Sequence, residues 1–188
     1  MGRHLLMFGM AILVVSLIAL IVVGFLSGIS NPLPWISLAI LTVVILASNK
    51  ITKSRYLTWK DSYSVGIESI DNDHKKLLHL INNLQTAVDY KTDKLFEKQT
   101  LDEVIDYTHY HFDREEEFME KYDYPDFVPH KAKHKEMIEK VNEFVLEFET
   151  DEEDSIQSLL AYLKSWLINH INVIDQEYSE FLISKGVK

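Results

Sequence analysis

The chain has 188 residues with 19 basic and 29 acidic side chains, a formal net charge of −10 and no cysteine. That balance argues against nucleic-acid binding, which needs concentrated Lys and Arg to meet phosphate. The absence of cysteine excludes disulfide frameworks, thiolate zinc sites and thiol catalysis, and says nothing of redox compartment. Composition then divides the molecule. Residues 1–49 hold one charged side chain, Arg3, whereas 50–188 carry 18 basic and 29 acidic residues, a net of −11. The acidic part is long enough for one domain with its own core.

Residues 1–49 read as a transmembrane hairpin with spans at about 5–27 and 33–49. Leu5 to Ser27 is 23 residues without a charge, about 34 Å of helix against a hydrocarbon core of about 30 Å. Asn31-Pro32-Leu33-Pro34 breaks the helix, because proline removes a donor and restricts its predecessor. Trp35 to Ser48 is a second apolar run, short for a span unless Leu33, Asn49 and a snorkelling Lys50 extend it. A cleaved signal peptide is the competing reading, but the first run is too long for an h-region and no A-x-A-like site follows it. Arg3 precedes the first span, and Lys50, Lys53 and Arg55 follow the second. The positive-inside rule therefore places both ends in the cytoplasm, with the soluble domain on the inner face of the cell inner membrane. A re-entrant second segment would place it on the other side. Residues 50–58 are expected to be a linker.

Residues 59–186 are written in helical periods, which predicts an all-α domain. Trp59 to Ile70 reads as an extended arm packed along four helical stretches at roughly 72–90, 93–122, 127–149 and 154–185. Asp123-Tyr124-Pro125 interrupts between the second and third stretches. The acidic run Thr150 to Asp154 separates the third and fourth, with Asp154 and Gln157 as an N-terminal capping pair. Gly186 closes the last helix.

Seven metal-binding side chains lie on these segments: His74; His111 and Glu115; His130 and His134; His170 and Asp175. Five imidazoles and two carboxylates suffice to hold two ions with the carboxylates bridging, and a mixed set without cysteine suits iron or another borderline first-row metal. Each imidazole falls inside its helix's apolar stripe: His74 with Leu77 and Ile81, His111 with Val104 and Phe112, His130 and His134 with Met137 and Val141, His170 with Leu163 and Leu167. A single core histidine is usually structural, but five converging with a glutamate in one small bundle point to metal. A buried carboxylate without a counter-charge costs several kcal/mol, which a metal pair removes. His79 and His109 fall off the stripes and His4 precedes the first span, so these three read as bystanders. His170 and Asp175 do not match a regular helix: five residues is about 140° of rotation. Either Asp175 reaches in from the edge of the stripe, or a single-turn π-bulge aligns the two.

Other chemistries fit less well. A ferritin-like site needs Glu-x-x-His pairs, and no histidine here has a glutamate three residues before it. A zinc protease needs His-Glu-x-x-His, whereas Lys131 follows His130. No Gly-rich phosphate loop or recognisable nucleophile occurs.

The order His74, His111-x-x-x-Glu115, His130-x-x-x-His134, His170-x-x-x-x-Asp175 resembles the hemerythrin family, specifically the bacterial hemerythrins. The surroundings agree over about residues 57–185: Trp59 with Ser64-Val65-Gly66-Ile67, Ile70-Asp71 before Asp73-His74-Lys75, His111-Phe112 before Glu115-Glu116, Tyr124-Pro125 before His130, and Trp166-Leu167 before His170. Asp73 stands where many relatives have glutamine, which leaves the ligand set intact. The resemblance implies an up-down-up-down four-helix bundle, here preceded by the two transmembrane helices, and reversible O2 binding at a non-haem di-iron centre rather than enzymatic turnover. By position, His130, His134 and His170 complete one iron. His74 and His111 bind the other, which keeps an open position for O2. Glu115, Asp175 and an oxo or hydroxo group bridge the pair. Leu167, three residues before His170, and Leu78, four after His74, are expected to wall the O2 pocket. The expected role is O2 storage or delivery at the lipid bilayer, with a membrane oxidase as partner. The alternatives are an O2 or redox sensor acting on a separate signalling protein, and slow peroxide or nitric oxide chemistry.

Overall fold

The computed structural model describes residues 2–90, 92–150 and 155–188, with side chains from Phe8 onward. It divides into two compact units, Met1–Arg55 and Tyr56–Lys188.

The first unit is a helix pair, α1 (Gly2–Leu26) and α2 (Pro32–Arg55). The prolines expected to break the helix instead start the second one. Pro32 occupies the first helical position, where its missing N–H costs nothing, and Asn31 Oδ1 accepts from Leu33 N–H at 3.0 Å. Gly28, at φ +117°, turns the chain between the helices. α1 and α2 pack closely where Gly24 meets Pro34, and a Cβ on Gly24 would come within 2.6 Å of Pro34 Cδ. Phe25 and Trp35 meet edge to face, and the Trp35 indole donates to the Ile29 carbonyl at 3.1 Å. Most large apolar side chains of both helices point outward and are exposed. Each helix is long and apolar enough to cross a bilayer. α2 continues past Ser48 through Lys50, Lys53 and Arg55, so the first part of the expected linker is helical.

The second unit opens with the arm. A short 3-10 turn forms at Asp61–Tyr63, and Asn82 pins the arm to the bundle by accepting from Leu57 N–H and donating to the Leu57 carbonyl, both at 2.8 Å. α3 (Glu68–Tyr90) starts four residues earlier than its apolar stripe indicates. Asp71, inside its first turn, reaches back to accept from Val65 N–H at 2.8 Å and from the Ser64 hydroxyl. These bonds tie the end of the arm to the first turn of α3.

α4 (Lys94–Lys121) is capped by Asp93, which accepts from Phe96 N–H at 2.9 Å. It ends with Asp123 at φ +53°. Tyr124 N–H donates to the Met119 carbonyl at 2.8 Å and Asp123 N–H to Glu120 at 3.2 Å, a Schellman closure. α5 (Phe127–Glu149) follows. The expected Asp154 cap lies outside the described residues. The fourth helix is α6 (Ser155–Asn169), one π turn (His170–Ile174) and α7 (Asp175–Ser184). Gly186, at φ +90°, closes it, with Val187 N–H donating to Leu182 at 3.2 Å and Gly186 N–H to Ile183 at 2.9 Å.

α3 packs against α4 and α6, and α5 against the same two. Only a few residues separate successive helices, giving an up-down-up-down four-helix bundle; no strand forms among the described residues. Two apolar clusters fill it. The larger holds Leu77, Phe112, Met137, Leu167 and Ile171, and the smaller holds Ile70, Met119, Tyr178 and Leu182. On α3, α4 and the fourth helix the candidate ligands lie between residues of the two clusters, and on α5 between Phe127, packed against the smaller, and Met137 of the larger. They form one polar layer sealed on two sides by hydrocarbon.

Candidate metal centre

All seven candidate ligands are buried, between 0% and 4% exposed. Regular winding brings in the pairs on α4 and α5, since residues four apart share a face. The third pair needs the π turn. Asp175 N–H donates to the His170 carbonyl five residues back, and the wider turn leaves His170 Nε2 3.0 Å from Asp175 Oδ1. Of the two alternatives that the spacing leaves open, the bulge is the one adopted.

The two carboxylates each face two ways. Glu115 Oε1 lies 3.7 Å from His74 Nε2 and 3.5 Å from His111 Nε2. Its Oε2 lies 3.6 Å from His130 Nε2 and 3.3 Å from His134 Nε2. Asp175 repeats the division: Oδ2 is 3.2 Å from His74 Nε2, while Oδ1 faces His170 and, at 3.8 Å, His130. On the three-imidazole side, His134 Nε2 is 3.1 Å from both His130 Nε2 and His170 Nε2. Two groups can each hold an ion, Glu115 with His130, His134 and His170, and Glu115 with His74 and His111, their donor atoms within 4.8 Å of one another.

The chemistry of this donor set fits a cation. His74 Nε2, Glu115 Oε2 and both Asp175 oxygens make no hydrogen bond despite full burial, a costly arrangement for polar atoms that no positive charge compensates. Burial disfavours charge on His74, yet the Asp175 and Glu115 carboxylates outweigh it and raise its pKa to about 9. Burial also opposes charge on His134, and Glu115 and Glu116 raise it to about 9. At His170 burial prevails and the pKa falls. Burial opposes ionisation of Glu115 and Asp175 too, but the imidazoles pull both below the usual carboxylate range. Two buried anions ringed by imidazoles are an arrangement that a metal ion bound between them compensates.

A surrounding ring of side chains orients the ligands. Phe112 stacks on His134 with ring centroids 3.7 Å apart, and Trp166 stacks on His170 at 4.1 Å. The Tyr178 hydroxyl donates to Glu115 Oε1. Asp73 accepts from the Tyr107 hydroxyl at 2.7 Å, pairs with Arg114 at 3.0 Å, and lies 3.7 Å from His111 Nδ1. Glu116 Oε1 is 3.1 Å from His134 Nδ1, and its other oxygen is 2.7 Å from Lys131 Nζ. The apolar stripes single out neither Glu116 nor Tyr178. A carboxylate one residue beyond Glu115 and a tyrosine three beyond Asp175 were the available signals. His79 and His109 are exposed. Leu78 and Leu167 are buried in the larger apolar cluster.

Comparison with known proteins places this arrangement. The Hemerythrin HHE cation binding domain family matches residues 65–182. Bacteriohemerythrin from Stenotrophomonas maltophilia is 37% identical over 124 residues, covering 66% of this chain and 80% of that protein. Myohemerythrin-1 of Phascolopsis gouldii is 30% identical over 120 residues, covering 64% and 89%. A crystal structure of wild-type hemerythrin aligns with a TM-score of 0.62 at 30% identity, over 67% of this chain and 97% of that one.

Proposed function

The chain belongs to the hemerythrin family, and on that premise we propose that it binds O2 reversibly at a di-iron centre. His130, His134 and His170 would hold one iron and His74 and His111 the other, with Glu115 and Asp175 as the carboxylates shared between them. The observation that carries this reading is the division of each carboxylate, one oxygen toward the two-imidazole side and one toward the three-imidazole side. The two-imidazole side has one fewer nitrogen donor, which leaves room there for an external ligand. A ferrous pair held by these residues would supply the electrons for reversible O2 binding. The protein's own part is to fix the ligands and keep water out. Leu78 and Leu167, both buried, wall the pocket, and Phe112 and Trp166 hold two imidazole planes.

On the same reading α1 and α2 anchor the chain in the inner membrane, with the bundle on the cytoplasmic side, for O2 storage or delivery to a membrane oxidase. Their length and outward apolar surface support this, as do the cations Lys53 and Arg55 in the last turn of α2.

The test is metal content with gas exchange. Full-length protein in detergent should hold about two irons per chain, as a carboxylate-bridged pair requires. The reduced protein should take up O2 and release it under vacuum. One zinc per chain, or iron that oxidises without releasing O2, would reject the proposal. A periplasm-dependent reporter after Lys188 should stay silent, and one near Asn31 should respond.

A further inference from the structure

The outer nitrogens of the imidazoles are not equally supported. His111 Nδ1 is 3.7 Å from Asp73 and makes no hydrogen bond, and His74 Nδ1 makes none either. His134 Nδ1 differs: Glu116 Oε1 stands 3.1 Å away. A carboxylate only accepts, so Nδ1 carries a proton, and Nε2 is the nitrogen left to offer its lone pair to a bound metal. The Phe112 ring lies parallel to the imidazole, 2° between planes, and prevents rotation away from this arrangement. Glu116 in turn is held by Lys131 at 2.7 Å. Side-chain exposure falls along this row from 58% at Lys131 through 16% at Glu116 to 2% at His134. The three therefore connect solvent to the buried centre through two polar contacts.

We infer that Glu116 is a positioning residue for His134, and that the Lys131–Glu116 pair sets how readily the iron on that side gives up an electron. The inference rests on the di-iron reading above. An acceptor on Nδ1–H makes the imidazole a stronger donor through Nε2, which favours the oxidised ion. The negative charge of Glu116, in a poorly solvated position, acts in the same direction. Lys131 opposes both by neutralising Glu116. The pair is thus a counterbalance whose two members push the potential in opposite senses. Because Lys131 is mostly exposed, its attraction is partly screened by solvent. Its influence on the centre passes through the better-buried Glu116.

The test is the midpoint potential of iron-loaded, full-length protein, measured with iron content in the same samples. Glu116→Gln keeps an acceptor but loses the charge, so its potential should rise. Lys131→Met leaves Glu116 uncompensated, so its potential should fall. The double variant should match Glu116→Gln, because Lys131 acts only through Glu116. Iron content should stay near the parent's in Lys131→Met, whose side chain lies at the surface. Shifts of the same sign in the two single variants, or no shift in Lys131→Met with iron intact, overturn the inference. A parent protein without an iron pair overturns instead the reading on which it rests.

Discussion

The two halves of the bundle are built on different physics. Away from the candidate centre, Leu84, Leu101, Val104, Leu159 and Leu163 close on one another with at most 2% exposure. Their burial is favourable without any ligand. Around the centre the buried layer is imidazole and carboxylate, and several of its atoms lack hydrogen-bond partners. One half holds the helices together and the other spends that stability on a site. Stability and metal binding should therefore separate experimentally.

The largest effect expected is at Glu115, the carboxylate that faces both sides. Glu115→Ala should reduce iron from about two per chain to well below one, since the carboxylate that faces both groups of imidazoles is lost. Hydrogen exchange should then quicken around His111, His134 and His170 while amides near Leu84 and Leu159 stay protected. His79→Ala should leave iron content unchanged, because His79 is exposed. Equal loss in both variants, or uniform loosening of the whole bundle, would contradict the division into halves.

The π turn offers a sharper cut within the site half. Deleting Val173, which is 51% exposed, leaves four residues from His170 to the aspartate, the spacing that already works at His111 and Glu115. The turn can then revert to regular winding with all later residues in phase. Most iron should be retained. Deleting Lys133 in α5 has no bulge to absorb it, so His134 rotates about 100° away and iron should be lost. Iron analysis of the two deletions decides. Loss from both would mean that the wide turn itself, and not merely the facing of Asp175, is needed.

In the apolar half the expected effect is on stability alone. Leu159, fully buried, should cost about 2–5 kcal/mol when truncated to alanine, read by chemical denaturation, with iron stoichiometry unchanged. Leu167→Ala lies at the boundary between the halves and should show a different signature. Iron should be retained while water enters the pocket, so the oxygenated form decays faster in stopped-flow traces. A decay rate equal to the parent's would remove Leu167 from the pocket wall.

These contrasts also mark what could be read from the sequence. The bundle, its four stretches and the inward facing of His74, His111, Glu115, His130 and His134 follow from periodicity, because three or four residues along a regular helix return to one face. Periodicity fails where winding or capping is set by tertiary contacts. The facing of Asp175 stayed open because a π turn has no fixed sequence mark. The early start of α3 has no mark in the stripe because it goes with a tertiary tie, Asp71 accepting from Ser64 and Val65 in the arm. Glu116 was missed because it lies to one side of the stripe and contacts a ligand's outer nitrogen rather than the core.

The smallest expected effect lies outside both layers, at the turn after α4. Asp123 holds φ +53°, a conformation that costs an ordinary L-residue about 1–2 kcal/mol, and aspartate somewhat less. Glycine removes that strain but adds about 0.5–1 kcal/mol of chain entropy to lose on folding. The difference leaves Asp123→Gly more stable by less than about 1 kcal/mol, or a few degrees in Tm. Asp123→Val should move the other way, because a β-branched side chain fits the left-handed region worst. Neither should alter iron content, because Asp123 is exposed and its neighbour Tyr124 belongs to the smaller apolar cluster, not to the ligand layer. Thermal melts of iron-loaded protein would show it. A Gly variant that melts below the parent would mean that Asp123 makes a stabilising contact outweighing its strained backbone.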